Sequence, residues 1–481
     1  MPTSSGAPNI VLVVFDTARA DAFTPYGAAP DVTPVIDSVA RDGQAVEQAF
    51  SVANWTLPSH MSMLTGLMPR RLGLGHRLSH APEGPMSVST QALRTVGRRY
   101  LPVALQAAGY QTMAASASVW VGELSGFDLG ISRFVTVRSQ RNHLVAGAGL
   151  RRSFAYLSDA IRAEVDDGLT AVEGAVRGML ADADPRRPFF LFVNVFECHS
   201  PFLPPRPYND LGPWSRALAG WDARRHLTLE GVFKACVTGR GPSPRSLARM
   251  RHLYLRSVRS MDDWLGRLLD TLTEGGRLDD TLLVVTSDHG ENFGEGGLIG
   301  HAVSLDDRLT HVPLVLRGAP EVPASPFSLA SLPGFLAAAA GLDDAVWREE
   351  AVPEGVAVAQ LDGFADADDP RIGVAADAWG LSEAAVVRLT RSLTAARDDR
   401  VKLVRHPGGE DVYDLESDPQ ELAPLDAAGV LPAELSQRLP RLRAALDHPA
   451  VATLTDVIED PGSVGGNRED LHASMRMLGY M

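Results

Sequence analysis

The stretch NIVLVVFD, residues 9–16, decides the fold of this chain. Asn9–Phe15 is a short apolar run rich in β-branched residues, which predicts a strand buried on both faces of a parallel sheet. A charged residue, Asp16, follows the run directly. Ligands bind beyond the carboxyl ends of the strands in open α/β sheets, so Asp16 is expected at a binding crevice.

The same pattern occurs twice more along the chain. Residues 188–196, PFFLFVNVF, lead into Glu197, and residues 281–286, TLLVVT, lead into Ser287 and Asp288. Each of the three buried strands therefore ends in polar side chains. Because the carboxyl ends of parallel strands meet at one edge of a sheet, we expect these side chains to converge.

Helical segments lie between the strands, and we predict them over residues 33–42, 166–183 and 246–273. Alternation of strands and helices indicates a doubly wound α/β sheet with helices on both faces. Residues 124–160 are less regular and are interpreted as an insertion that covers the site.

The composition of the sequence changes beyond about Gly341, where Pro and Asp become frequent. Short strand-like pieces follow, at residues 392–397, 401–405 and 412–415. We therefore predict three segments along the chain: a catalytic domain over 1–345, a small α+β subdomain of short antiparallel strands over 346–450, and a C-terminal tail over 451–481.

Composition excludes several classes of protein. A hydrophobic fraction of 45% over 481 residues excludes global disorder, and a formal net charge of -14 argues against a nucleic-acid polymer or an anionic membrane as partner. We recognise neither a signal peptide nor an apolar run of membrane-spanning length, so we predict a cytoplasmic protein. Two cysteines, Cys198 and Cys236, cannot form a disulfide framework, which fits a reducing compartment. Only Lys234 and Lys402 are lysines.

Residues 54–66, NWTLPSHMSMLTG, place Thr56 near the start of a predicted helix. Backbone N–H groups and the helix dipole at such a position favour an anionic substrate and the alkoxide form of a nucleophile. Taken alone, the segment is better explained by Thr56 and Ser59 capping the helix. Two further motifs outweigh that explanation.

The first is SDHGENFGE, residues 287–295, which puts Asp288 and His289 on a glycine-rich loop after a buried strand. An Asp oxygen together with a His nitrogen suits Zn²⁺ or Mn²⁺. Such a pair on its own is weak evidence for a metal site, because most are ordinary loop residues.

The second motif is DTARAD, residues 16–21, again directly after a strand. It offers Asp16 as a metal ligand and Arg19 as either a phosphate clamp or the partner of an Asp. Alone, it is better explained as a strand-to-helix turn with a surface ion pair.

Four stretches together resemble the sulfatase branch of the alkaline phosphatase superfamily. They are VVFDTARADAFTPYG with TPVIDSVARDG, NWTLPSHMSMLTG, TSDHGENFGEGGLIGH and DVYDLESDPQEL. The resemblance implies a central, mostly parallel sheet sandwiched by helices, with a small C-terminal α+β subdomain. It also implies that Asp16, Asp288 and His289 bind a catalytic divalent metal, with Thr56 touching that metal and attacking the substrate.

The chain departs from the sulfatase pattern at four positions. Thr17 stands where sulfatases commonly carry a second metal-binding Asp. Thr56 stands where they carry a Cys or Ser that is oxidised to formylglycine, and Thr is not known as a substrate for that conversion. His60 replaces an Arg, and His301 stands in place of the active-site Lys. Most of the residues with which sulfatases bind sulfate are therefore absent, which favours a phosphate ester over a sulfate ester as substrate.

At these positions the chain resembles nucleotide pyrophosphatase/phosphodiesterases and phosphoethanolamine transferases, in which a Thr nucleophile is flanked by two zinc ions. One ion is expected here, with Zn²⁺ or Mn²⁺ preferred over Ca²⁺ or Mg²⁺. A second ion would draw on Glu197, His199 and His301. Substrate contact or support of other ligands explains Glu197 and His199 equally well, and His60 either contacts substrate oxygens or packs.

The sequence therefore predicts a metal-dependent hydrolase of small anionic phosphate-type esters: phosphomonoesters, phosphodiesters or phosphonate esters. The reaction would pass through a phospho-threonine on Thr56, with Arg19, His60 and His199 assisting. Three alternatives stay open: a transferase that passes the phospho group to an alcohol, a sulfuric ester hydrolase, and a non-catalytic scaffold of the same fold.

Overall fold

A computed structural model describes residues 6–74, 84–137, 150–349, 352–364, 367–368, 370–426 and 431–452. The predicted C-terminal tail lies outside the described residues from position 453 onward, as do residues 138–149 of the predicted insertion.

The strands, in chain order, are β1 (Asn9–Phe15), β2 (Gln44–Ala45), β3 (Ala49–Phe50), β4 (Gln111–Ser116), β5 (Arg133–Thr136), β6 (Phe189–Val195), β7 (Thr281–Thr286), β8 (Asn292–Phe293), β9 (Ile299–Gly300), β10 (His311–Val312), β11 (Leu314–Arg317), β12 (Phe327–Ser328), β13 (Ala357–Leu361), β14 (Leu393–Arg397), β15 (Val401–His406), β16 (Gly409–Asp414) and β17 (Leu425–Asp426). A seven-stranded central sheet has the order β2-β11-β7-β1-β6-β4-β5. Its strands β7, β1, β6, β4 and β5 run parallel, whereas β11 and β2 form an antiparallel edge. The predicted fold class is confirmed.

The helices are α1 (Pro34–Asp42), α2 (Thr56–Thr65), α3 (Pro85–Val96), α4 (Leu101–Ala107), α5 (Leu150–Arg162), α6 (Leu169–Asp182), α7 (Pro213–His226), α8 (Leu229–Thr238), α9 (Pro244–Glu274), α10 (Asp307–Thr310), α11 (Leu332–Ala339), α12 (Ala345–Arg348), α13 (Pro370–Trp379), α14 (Glu383–Thr390), α15 (Ala433–Ser436) and α16 (Leu439–Leu446). The helices predicted over 33–42, 166–183 and 246–273 correspond to α1, α6 and α9. No helix in the described ranges combines the length and apolar character needed to span a bilayer.

The two faces of β1 explain why its sequence is apolar throughout. Val11, Val13 and Phe15 face a core that includes side chains of α1, α6 and α9. The alternate residues Ile10, Leu12 and Val14 face a second core built with α2, α4 and α11. Helices cover both faces, so polar residues appear only where the strand ends.

The prediction that residues 124–160 form an insertion over the site is wrong for part of that range. Arg133–Thr136 is strand β5, which pairs in parallel with β4 at the edge of the central sheet. This part of the chain belongs to the fold itself. This strand could not be predicted, because RFVT is short and has charged and polar ends.

A five-stranded antiparallel sheet, β13-β14-β15-β16-β17, lies within the predicted C-terminal segment. Its core includes Val52 and Met68 from the first segment, so the two segments share a packed boundary. The domain limits near 345 and 450 remain predictions. Cys198 and Cys236 are both buried and form no disulfide.

Candidate active site

The polar ends of β1, β6 and β7 meet at one edge of the central sheet, as expected. Asp16 directly follows β1, and its backbone N–H donates to the Val195 carbonyl at the end of β6 (2.9 Å). Asp288 comes two residues after β7. Both carboxyl groups are completely buried.

Asp16, Asp288 and His289 form a set whose candidate ligand atoms all lie within 4.8 Å of one another. Asp288 Oδ1 accepts hydrogen bonds from the backbone N–H groups of Thr17 and His289, both at 2.9 Å. Asp288 Oδ2 is buried and accepts no hydrogen bond within the described structure. That oxygen is available to a cation.

The hydrogen bonds of His289 fix its tautomer. Nδ1 lies 2.9 Å from the Gly290 carbonyl, and because a carbonyl only accepts, Nδ1 carries the proton. Nε2 therefore carries a lone pair, and it lies 3.4 Å from both Thr56 Oγ1 and Asp288 Oδ2. A histidine that ligates a metal commonly donates its other nitrogen to a carbonyl in this way.

Burial makes the two carboxyl groups difficult to ionise. It raises the pKa of Asp16 to about 7, although hydrogen bonds from Thr17 and Asn194 oppose the shift. It raises the pKa of Asp288 well above the usual range, and the charge of Asp16 raises it further. A divalent cation would relieve this repulsion. With its unbonded Asp288 oxygen, the set of two carboxylates and one imidazole therefore fits a divalent ion.

Thr17, in the position of the missing second Asp, supports these carboxylates. Its φ of 65° is left-handed, which costs a β-branched residue about 1–2 kcal/mol. This conformation directs its backbone N–H to Asp288 and its hydroxyl to Asp16 Oδ1 (2.9 Å). The strain is therefore located beside the candidate metal site.

Thr56 is the first residue of α2, and the N-cap position is occupied by Trp55. The alternative that Thr56 caps this helix is therefore wrong. Every residue of α2 is buried. Ser59 does not cap it either: its hydroxyl donates to the Asp288 carbonyl (2.7 Å) and joins the helix start to the metal-binding loop. Thr56 Oγ1 thus lies at the start of α2, where the helix dipole places its partial positive charge.

His60 lies one helical turn after Thr56. Its Nδ1 donates to the Thr56 carbonyl (2.9 Å) and lies 3.5 Å from Asp288 Oδ2. Its ring packs edge-on against Phe127 and Phe192 and is wholly buried. Burial lowers the pKa of His60 to about 4, despite the hydrogen bond to Thr56. His60 is thus a neutral, packed ring beneath Thr56.

The guanidinium of Arg19 is engaged in ion pairs. It binds the carboxylates of Asp21 (2.6 Å) and Glu295 (2.7 Å) and donates to the Glu291 carbonyl (3.0 Å). Of the two roles expected for Arg19, the structure shows the partner of an Asp. Its contacts give no support to a phosphate clamp.

Three histidine rings lie side by side near Thr56. The His301 ring is centred 4.5 Å from that of His289 and 5.3 Å from that of His199. Nδ1 of His301 lies 3.3 Å from a Glu291 carboxylate oxygen. His199 stacks on Phe196 at 4.4 Å, and its Nδ1 donates to the Ser200 carbonyl (3.0 Å).

Glu197 supports the start of a helix. Its Oε1 accepts from the backbone N–H groups of Asp167 (2.9 Å) and Leu169 (3.2 Å), where α6 begins. Over the described residues, no second set of three candidate ligands converges as Asp16, Asp288 and His289 do. Glu197, His199 and His301 are therefore near the site without forming a second such set.

Sequence reasoning missed three residues of this site. The Asn194 amide lies 3.4 Å from Asp16 Oδ2, and Glu291 pairs with His301. The Tyr254 hydroxyl donates to the Thr17 carbonyl and accepts from the Arg19 N–H. Asn194 could have been found as the polar residue in an otherwise apolar strand, but nothing in the sequence of α9 marks Tyr254.

Comparison with known proteins identifies the family. A model of the sulfatase family matches residues 8–333, about two thirds of the chain. The chain belongs to the sulfatase family. The multifunctional alkaline phosphatase superfamily protein PehA of Trinickia caryophylli is 27% identical over 65% of this chain and 68% of its own length. A choline-sulfatase of Rhizobium meliloti is 25% identical over 88% of this chain and 83% of its own length.

Solved structures show the same fold. The phosphonate monoester hydrolase of Agrobacterium radiobacter superposes with a TM-score of 0.62 and 22% identity, over 91% of this sulfatase-family chain and 95% of its own. The resemblance inferred from the four motifs is confirmed. The protein is an ester hydrolase of the alkaline phosphatase superfamily.

Proposed function

We propose that this sulfatase-family protein hydrolyses phosphate-type esters of small molecules, with Thr56 as the nucleophile and a divalent ion at Asp16, Asp288 and His289. The observation that carries the proposal is the position of Thr56 Oγ1. It lies at the start of the buried helix α2, 3.4 Å from the His289 nitrogen of the candidate metal set.

Asp16, Asp288 and His289 would hold the ion, and Zn²⁺ or Mn²⁺ suits these donors. When bound, such an ion lowers the pKa of a hydroxyl it touches and neutralises charge on substrate oxygens. The N–H groups at the start of α2 add a further site for those oxygens.

Thr56 Oγ would form a bond to phosphorus while the bond from phosphorus to the leaving oxygen breaks, which leaves a phospho-threonine. His301 would supply the proton that the leaving oxygen requires, because the carboxylate of Glu291 stabilises its protonated ring. In the second half of the reaction, neutral His301 would accept a proton from the water that releases phosphate.

Thr56 also bears on the choice between phosphate and sulfate. Its side chain has no route to the formylglycine that type I sulfatases use, whereas a Thr hydroxyl is a sufficient nucleophile for phosphorus. One relative is a choline-sulfatase, so sulfate esters are the competing class of substrate.

A substrate comparison tests the proposal. We expect turnover of aryl phosphate monoesters, phosphate diesters or phosphonate esters to exceed that of the matching aryl sulfate. Thr56→Ala should lower kcat by at least about a thousandfold, and Thr56→Ser should retain part of it. Faster turnover of the sulfate, or an active Thr56→Ala variant, would refute the proposal. Phospho transfer to an added alcohol, measured as a new ester product, would instead identify a transferase.

A further inference from the structure

An exposed, mostly apolar stripe runs along helix α7. Trp214 and Trp221 are 78% and 58% exposed, and Leu218 between them is 38% exposed. Arg225, one turn further along the helix, is exposed as well. These four residues recur at intervals of three or four, so they fall within about 60° of one another around the helix axis. We call them the Trp stripe.

The opposite side of α7 already has a partner within the chain. Its buried residues include Ala219, Gly220 and Ala223. Gly220 packs tightly against helix α5, since a Cβ placed on this glycine would lie 2.7 Å from the Ala160 Cβ. The helix is therefore anchored on one side and exposes the Trp stripe on the other. Large apolar side chains grouped on an exposed face mark an interaction surface, and Trp is enriched at such surfaces.

The order of side chains in the Trp stripe is complementary to its own reverse. If two α7 helices lie antiparallel about a two-fold axis between positions 219 and 220, Trp214 of one copy faces Arg225 of the other. In the same arrangement Leu218 of one copy faces Trp221 of the other. Both pairs are favourable, because a guanidinium group binds the face of an indole ring and a Leu side chain packs on it.

Charge favours this arrangement over two others. The two Arg225 side chains of an antiparallel pair would lie about 16 Å apart along the helix axis, beyond the screening length of about 8 Å at physiological ionic strength. A parallel pair would instead bring the two guanidinium groups face to face. The net charge of -14 opposes binding of the Trp stripe to an anionic membrane.

The two tryptophans supply the centre of an interface. A Trp side chain buries about 150–250 Å², so at their observed exposures Trp214 and Trp221 would bury about 200–340 Å² per copy. A standard interface buries about 800 Å² per partner, and the surface around the stripe would contribute the remainder. Trp and Arg at the centre of an interface are the residue types that contribute most of its binding energy.

We propose that the Trp stripe binds a second copy of this chain and forms a two-fold symmetric dimer through antiparallel α7 helices. This interaction goes beyond the proposed hydrolysis and does not depend on it. Each tryptophan is used twice in such a dimer, because both copies present the same surface to one another.

Sedimentation velocity of the full-length chain over a range of concentrations tests the proposal. We expect a dimer at about 10 μM and above. Trp221→Glu should raise the dissociation constant at least about a hundredfold, because it places a carboxylate opposite Leu218 twice in each dimer. Val322→Glu is the matched control: it adds the same charge at a residue that is 74% exposed and lies outside α7, so the dissociation constant should not change.

A charge exchange tests the antiparallel register. Trp214→Lys should weaken the dimer, because it places an ammonium group opposite Arg225 of the other copy. Adding Arg225→Glu should tighten the dimer again at least about tenfold, because each introduced ammonium group would then face an introduced carboxylate. Thermal unfolding of every variant should match that of the unmodified monomer, because all the substituted residues are exposed.

Three results would overturn the proposal: a monomer at every concentration, a dimer that Trp221→Glu leaves intact, or no recovery in the double variant. Sedimentation with phosphatidylcholine vesicles provides a further check. A monomer that sediments with these vesicles would also overturn the proposal, and it would identify a lipid surface as the partner of the Trp stripe.

Discussion

At the scale of single residues, the contacts of Thr56 and His289 indicate that Thr56 faces the candidate metal site and does not cap helix α2. The carbonyl of Gly290 holds the His289 proton at Nδ1, so the lone pair of Nε2 lies toward Thr56 Oγ1. A sequence shows neither the tautomer nor the distance. It does show the residue types, and for that reason Asp16, Thr56, Asp288 and His289 could be predicted together.

His301 should matter most for substrates whose leaving oxygen is basic. We expect His301→Gln to lower kcat about a hundredfold or more with phenyl phosphate, because phenoxide leaves poorly without a proton. The loss with 4-nitrophenyl phosphate should be much smaller. The measurement is kcat for both esters, with His252→Gln as the matched control, because His252 is a partly exposed residue of α9 that pairs with Asp210. Equal losses for the two esters would exclude His301 as the proton donor.

His60 should make stability depend on pH. The pKa of its ring is lowered from 6.5 to about 4 on folding, because burial opposes the charged form. Between these values the unfolded chain binds a proton that the folded chain excludes. The free energy of unfolding should therefore fall as pH drops from 6.5 to 4, by up to about 1.4 kcal/mol per pH unit. Urea unfolding across this window should show a shallower dependence in His60→Gln, and an unchanged dependence would contradict the assignment.

At the scale of elements, apolar runs and their ends were the most reliable guide. Strands β1 and β7 were predicted with their observed limits, and β6 within one residue at each end, because both faces of each strand are covered and most of their residues are apolar. Strand β5 was missed because RFVT is at the edge of the sheet and half exposed. Its place depends on pairing with β4, which is a tertiary contact.

Glu197 shows the limit of assigning roles by position. It follows β6 as Asp16 follows β1, yet its carboxylate binds the N–H groups at the start of α6. Its neighbour His199 does lie beside the other histidines. Residues at strand ends can thus support a helix as readily as they can bind a ligand.

Glu197→Ala should therefore lower the stability of the fold and leave the bound metal ion in place. We expect the free energy of unfolding to fall by about 1–2 kcal/mol, because two backbone donors at the start of α6 lose their acceptor. Glu197→Gln keeps an acceptor oxygen and should fall less. Unfolding in urea and metal analysis of both purified variants provide the measurement. Loss of a metal ion in Glu197→Gln would show that Glu197 is a metal ligand after all.

At the scale of the whole molecule, Lys402 joins the C-terminal sheet to the catalytic part of the chain. It is fully buried in β15, and its ammonium group contacts the Leu305 carbonyl (2.6 Å), Asp307 (2.8 Å) and Glu421 (2.7 Å). Leu305 and Asp307 lie in the stretch that follows His301. The scarcity of lysine was visible in the sequence, but the burial of this one was not.

Lys402→Met should strongly destabilise the protein. It would leave the carboxylates of Asp307 and Glu421 buried without this cation, which costs about 3–5 kcal/mol for such pairs. The exposed Lys234, the only other lysine, provides the control, because Lys234→Met should change stability by less than about 0.5 kcal/mol. Chemical denaturation of both variants gives the comparison. Similar stabilities for the two would show that the buried cation contributes little.

Trapping the phospho group on the enzyme tests most directly whether Thr56 is the nucleophile. The protein, loaded with Zn²⁺ or Mn²⁺, would be mixed with an aryl phosphate, quenched in acid and analysed by peptide mass spectrometry. We expect one phosphorylated peptide, with the modification on Thr56, and none after treatment with a chelator or in Thr56→Ala. Phosphorylation of another residue, or turnover of the ester with Thr56 unmodified at every quench time, would contradict it.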